Sequence, residues 1–353
     1  MLSDSNPLRK LAHNHPVLLF VAMTYIWSWS FWIPIHLDNL PPGMTMALSF
    51  MGVFGPALAG SLLLRLRENT WPKEPVFNTG FLTGALLAVG AIAMFQVNLL
   101  GVTDMLPKDD LTFPPNSPWY VYGLMGLVVL VSGFVFSNVQ HSASSIRMFY
   151  KGLVPSKRTI LLAVPVLLFL PSLLFVANLL AGALGLLYEQ PEHLALPVST
   201  WLPLMFVKLF TVAILTGGNE EHGWRGVLLP ILQQRWSPFT ATFIIALVWE
   251  PWHLPITLDI LNDNPNMIPV LIGRLIFILP IAFLMTLLYN VSGGSIFLCV
   301  LLHACFNTQV KMFAGSELFV PLMMLTVIVL VIIIKPWRRG SGYVPSQPKV
   351  SAN

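Results

Sequence analysis

The stretch from Ser199 to Gly226, STWLPLMFVKLFTVAILTGGNEEHGWRG, runs without a break from an apolar segment into two adjacent glutamates, a histidine and an arginine. A bilayer core takes about 20 predominantly apolar residues per helix, and residues 199–217 approach that length. The stretch therefore reads as a transmembrane helix delivering charge to one of its ends. Working outward, nine more segments carry the same signature, at roughly 16–36, 43–64, 79–102, 118–139, 159–188, 238–256, 267–290, 294–311 and 318–335. The predicted fold class is all-α, a polytopic transmembrane helical bundle of about ten spans.

Composition leads to the same place. Only 10% of the residues are charged and 56% are hydrophobic, with a mean hydropathy of +0.75. Soluble domains carry about 25% charged residues, so that class is excluded. The net charge of +4 and the pI of 9.1 do not point to nucleic acid, because the basic residues fall in particular loops. Arg9 and Lys10, then Arg65, Arg67 and Lys73, then Arg147, Lys151, Lys157 and Arg158, then Arg225 and Arg235, then Lys335, Arg338 and Arg339 share one side of the predicted topology. The alternate loops hold Asp38; Asp104, Lys108, Asp109 and Asp110; Glu189 and Glu192; and Asp259 and Asp263. Positive-inside reasoning predicts a multi-pass protein of the cell membrane with both termini cytoplasmic. The first apolar segment has no small-residue cleavage pattern after it and reads as a retained span.

Charged groups at membrane depth cost about 2.5–3.5 kcal/mol each on insertion scales, so those that persist there carry information. Three clusters do. In the first, Glu221 and Arg225 are four apart and share a face if the segment is helical, which allows them to pair. Glu220 then points about 100° away and is free for another task. The competing reading is a solvated loop with an incidental ion pair. The second cluster is Trp249-Glu-Pro-Trp-His253-Leu-Pro255, in which Pro251 and Pro255 flank the histidine and open the helix there. The third, His303-Ala-Cys-Phe-Asn307, places a histidine and an asparagine on one helical face. Together they can orient a water, directly or through a metal, and stabilise an oxyanion. Cys299 and Cys305 have no metal or disulfide spacing and read as buried hydrophobes. Arg274 is expected to pair with a carboxylate or snorkel, and Gln96, Asn98 and Asn178 to bond between helices. No His-Glu-x-x-His or Gly-x-Ser-x-Gly motif occurs.

With these three clusters the chain resembles the CPBP family of intramembrane proteases, which includes the CAAX prenyl endopeptidase and bacteriocin-processing or immunity-type membrane proteins. The family pattern is Glu-Glu-x-x-x-Arg, then Phe-x-x-x-His, then His-x-x-x-Asn or His-x-x-x-Asp. Glu220, Glu221 and Arg225 match the first, and His303 and Asn307 the last. Trp249 and His253 match the second with a tryptophan for the usual phenylalanine, which leaves the shape of the pocket open.

The resemblance implies an endopeptidase in which one of the two glutamates, Glu220 ahead of Glu221, activates the attacking water and Arg225 pairs with the glutamate that is not the base. His253 would hold that water or a metal, while His303 and Asn307 complete the site. A divalent metal such as zinc would take Glu220, His253 and His303 as ligands. The implied partners are the lipid bilayer and a membrane-associated protein or peptide substrate, with a prenylated CAAX protein as one option. The chain divides accordingly into N-terminal helices at 1–197 that supply hydrophobic bulk, a core at 198–312, a final helix at 313–339 and a disordered cytoplasmic tail at 340–353. Two other classes remain open on the residues alone: a non-catalytic membrane scaffold or immunity-like protein, and a proton-coupled transporter, which the absence of a detectable repeat disfavours.

Overall fold

The protein is described by a computed structural model covering residues 6–70, 76–101, 117–186, 191–195, 197–258, 266–313 and 315–345, without the side chains of 96–101 and 192–193. Among the described residues there is no strand. Helix α1 (Pro7–Asn14) is short and starts where the Asn6 side chain accepts from the Leu8 and Arg9 amides. Then come α2 (Pro16–Trp32), α3 (Met44–Val53), α4 (Gly55–Glu68), α5 (Thr79–Gly101), α6 (Trp119–Ser137), α7 (Ser144–Tyr150), α8 (Lys157–Ala183) and α9 (Val198–Leu215). After them lie α10 (Gly217–Gly223), a π-helical turn (Trp224–Leu228), α11 (Leu229–Gln233), α12 (Pro238–Trp252), α13 (Met267–Val291), α14 (Ile296–Phe313) and α15 (Phe319–Ile334).

Each of the ten predicted segments falls on helix. By length and apolarity seven helical segments among the described residues can cross a membrane: 16–36, 44–68, 119–140, 157–183, 198–233, 267–291 and 296–313. Thr79–Phe95 and Phe319–Ile334 are shorter apolar helices. The protein is a multi-pass helical bundle. Its outward faces are studded with Leu, Ile, Val and Phe exposed to what would be lipid, for example Leu161, Phe175, Ile268 and Ile333.

Residues 217–233 differ from the loop reading. They continue the chain from α9 as helix past a break at Thr216, and every one of them is buried. α10 packs between α4, α9 and α14. Small residues allow the approach: a Cβ on Gly223 would lie 2.1 Å from the Pro56 carbonyl oxygen, and one on Gly60 would lie 2.9 Å from Val227. In a bilayer, such backbone proximity replaces the hydrophobic drive that water would provide.

One end of the bundle gathers the basic loops. Arg158 donates to the Val291 carbonyl at 3.2 Å, and Gly152 lies against Gly294. Arg65, on the helix that bears Arg67, donates to Asn138 and Ser137 beside Tyr150. The segment after α15 folds back to the same end. Gln233 and Asn290 bond to each other and clasp Tyr343, whose carbonyl accepts from Gln233 at 2.9 Å and whose amide donates to Asn290 at 2.8 Å. Residues 340–345, read as the start of a disordered tail, are thus docked; residues 346–353 lie outside the described set, as do Asp104, Lys108, Asp109, Asp110, Glu189, Asp259 and Asp263. Arg274 pairs with Glu250, joining α13 to α12, and the Ser316 amide donates to Asn178 at 2.8 Å. The side chains of Gln96 and Asn98 are not among those described.

Candidate active site

The i,i+4 expectation for the first cluster holds in detail. Arg225 Nη1 lies 2.9 Å from Glu221 Oε1, with both side chains fully buried. The π-helical turn begins just after α10 and contains Arg225. Such one-turn insertions are frequent at functional sites because they re-aim side chains within a helix. The same Glu221 oxygen accepts from His303 Nδ1 at 2.8 Å. Glu221 is therefore the shared acceptor of a cation on its own helix and an imidazole from α14.

Glu220 faces elsewhere. Its Oε2 accepts from the Trp249 indole N–H at 2.7 Å and stands 4.0 Å from His253 Nε2. His253 Nδ1 lies 2.9 Å from the Trp249 carbonyl, which can only accept, so that nitrogen carries the proton. In the neutral ring, Nε2 is then a bare lone pair aimed at the Glu220 carboxylate. Two acceptors 4 Å apart do not bond to each other; the spacing suits a water that donates to one or both.

His303 Nε2 and Asn307 Nδ2 meet at Gly217. A Cβ there would lie 2.5 Å from the first and 2.3 Å from the second, so only glycine leaves room for both groups. Sequence reasoning missed this residue; the Gly217-Gly218 pair before the glutamates was the available signal. All six predicted site residues converge, from α10, the π turn, the C-terminus of α12 and the middle of α14. Exposure grades across them. The Glu221 and Arg225 side chains are at 0%, Glu220 and His303 at 6% and 7%, and His253 at 18%. The site has a sealed floor and opens on the side of His253 and half-buried Asn307.

The N-terminal helices do more than add bulk. A helix C-terminus leaves its last carbonyls without intrahelical donors. At α12 donors also come from α2 and the turn after it: Trp29 Nε1 donates to the terminal Trp252 carbonyl at 3.0 Å, Tyr25 Oη donates to the Val248 carbonyl one turn earlier at 2.6 Å, and His36 Nε2 contacts the Pro255 carbonyl beyond the helix end. Trp32 stacks near His253, with ring centroids 6.4 Å apart and 17° between planes. The proline-broken end of α12 is held in place by residues more than two hundred positions away.

The predicted metal set of Glu220, His253 and His303 is not gathered as a ligand group. Among the described residues no three His, Cys, Asp or Glu side chains are placed to hold a metal. In the bonding, His303 gives Nδ1 to Glu221, while its Nε2 lies beside Gly217. Cys299 and Cys305 are buried free thiols, as expected.

Residues 199–309 match the family described as Type II CAAX prenyl endopeptidase Rce1-like. The CAAX prenyl protease 2 of Methanococcus maripaludis is 27% identical to this chain over 119 residues, a match covering 32% of this chain and 43% of the relative. Within this polytopic helical protein, residues 199–309 are therefore the part that is similar to the Rce1-like endopeptidases, and the chain spans less than half of the relative's length.

Proposed function

We propose that the protein is an intramembrane endopeptidase that hydrolyses a peptide bond of a membrane-associated protein or peptide, prenylated CAAX-type substrates included. The observation that carries this reading is the pairing of Glu220 Oε2 with His253 Nε2 at 4.0 Å, above a buried floor of Glu221, Arg225 and His303. The Rce1-like family match supports it.

In this reading a water bridges Glu220 and His253. Glu220 takes its proton as the hydroxide equivalent attacks the scissile carbonyl carbon, and it returns the proton to the leaving amine. Asn307 Nδ2 donates to the developing oxyanion, joined by His303 Nε2 when the ring is doubly protonated and balanced by Glu221. Arg225 neutralises Glu221, so that two adjacent carboxylates need not both be bare in a low-dielectric site.

Glu220→Gln in the purified full-length protein tests the assignment, with a farnesylated CAAX peptide and an unprenylated copy as substrates. A general base contributes about 10²- to 10⁴-fold, so the variant is expected to lose at least that much cleavage with an unchanged unfolding temperature. Wild-type cleavage is expected to survive 1,10-phenanthroline, since the donor set does not gather around a metal. Full activity of Glu220→Gln overturns the assignment, and no cleavage by wild type of either peptide favours a scaffold.

A further inference from the structure

The second motif departs from the usual pattern at one position, Trp249, and the departure is chemical as well as steric. Phenylalanine at that position has no hydrogen to donate. An indole N–H has one donor and no acceptor, and here it is spent on Glu220 Oε2 at 2.7 Å. That is the oxygen facing His253 Nε2, so the bond constrains the carboxylate at the atom that would meet the water. Hydrogen bonds to an ionised acceptor are roughly twice as strong as neutral ones, and this one is buried on both sides.

The rest of the side chain is also engaged. The Arg225 guanidinium carbon lies 4.6 Å from the centroid of the Trp249 ring, in cation–π geometry. The ring meets His303 edge-on at 5.6 Å. The Trp249 carbonyl accepts from His253 Nδ1 at 2.9 Å. One residue, 2% exposed, thus contacts Glu220, Arg225, His253 and His303 at once. A residue that only filled space would not need its one polar hydrogen directed at a carboxylate.

We infer that Trp249 is a positioning residue, which fixes the rotation of the Glu220 carboxylate through its indole N–H and locks the base to the Arg225–Glu221 pair through its ring. The inference rests on the peptidase reading above, in which Glu220 is the base. Its role is to act through Glu220; it does not touch substrate.

The test is a double-mutant cycle on the full-length protein in detergent, with the CAAX peptide cleaved by wild type. Trp249→Phe keeps the aromatic ring and removes the donor. It is expected to lower kcat by about 10- to 100-fold and to leave KM within about two-fold, the pattern of an interaction that acts on the reacting geometry. In a Glu220→Asp background the shortened carboxylate no longer reaches the indole, so the same substitution is expected to cost less than about three-fold. Equal losses in both backgrounds, or a change confined to KM, overturn the inference. Should Trp249→Phe fail to fold, ¹⁵N-indole spectra of Glu220→Ala decide: one tryptophan N–H resonance is expected to move upfield, and to stay in place in Asn307→Ala. An unmoved indole set overturns the contact itself. Failure of the wild type to cleave removes the peptidase reading instead, so the two failures are distinct.

Discussion

Glu220 and Glu221 are neighbours in the chain and opposites in environment. Glu221 is fully buried and bound by Arg225 and His303, which gives its charge two partners. Glu220 has one neutral donor, Trp249, and a histidine at 4.0 Å. Removing one member of a buried ion pair costs about 3–5 kcal/mol because the other charge is left uncompensated. Glu221→Ala is thus expected to damage stability and activity together, unlike Glu220→Gln; thermal unfolding in detergent separates them. Gly217 is the other residue-scale control. Gly217→Ala places a methyl 2.3 Å and 2.5 Å from Asn307 Nδ2 and His303 Nε2, so both must shift relative to residue 217. We expect at least a ten-fold loss of cleavage, since about 1 Å of misplacement can cost 10²-fold. Wild-type turnover in Gly217→Ala would remove Asn307 and His303 from the oxyanion role.

At the scale of elements, the site depends on two helix ends brought under control. α10 is admitted to the core because Gly223 and Gly60 let it lie against α4. The C-terminus of α12 contains Pro251 and is met by donors from α2. Trp29 supplies one of them, to the Trp252 carbonyl next to His253. Trp29→Phe preserves packing and deletes that donor. The expected cost is about 1 kcal/mol in stability, the usual net worth of one hydrogen bond. Cleavage is expected to fall further than that stability loss implies, because the turn carrying His253 loosens. A rate unchanged from wild type would show that α12 holds His253 without help from α2.

For the whole molecule, geometry sets the depth of the chemistry. His303 lies about 10 Å along α14 from Ile296, at 1.5 Å per residue, and Ile296 sits at the end where the Arg158 and Lys151 loops gather. The reacting groups are therefore expected inside the bilayer, within reach of the basic face. From the positive-inside bias we expect that face, and both termini, on the cytoplasmic side. Single cysteines replacing Asp38 and Arg339, with Cys299 and Cys305 changed to serine, check it with a membrane-impermeant maleimide on sealed right-side-out vesicles. Asp38→Cys is expected to label at once and Arg339→Cys only after permeabilisation; the reverse order inverts the topology.

What was legible in the sequence is what local physics fixes. Long apolar runs in a chain with 10% charge have to satisfy their backbone inside a membrane, and helices do that within each segment. The Glu221–Arg225 pair and the shared face of His303 and Asn307 follow from helical periodicity alone. Other decisions needed the packed bundle. Burial of 217–233 depends on which helices have glycine where they cross. The direction of the His303 ring depends on Glu221 being 82 residues away in sequence and 2.8 Å away in space. The role of Trp249 depends on a glutamate 29 positions earlier, and that of Trp29 on a carbonyl 223 positions later. Hydropathy and periodicity report the conformation of a segment; which side chains converge is set by how segments pack, and no single segment carries that information.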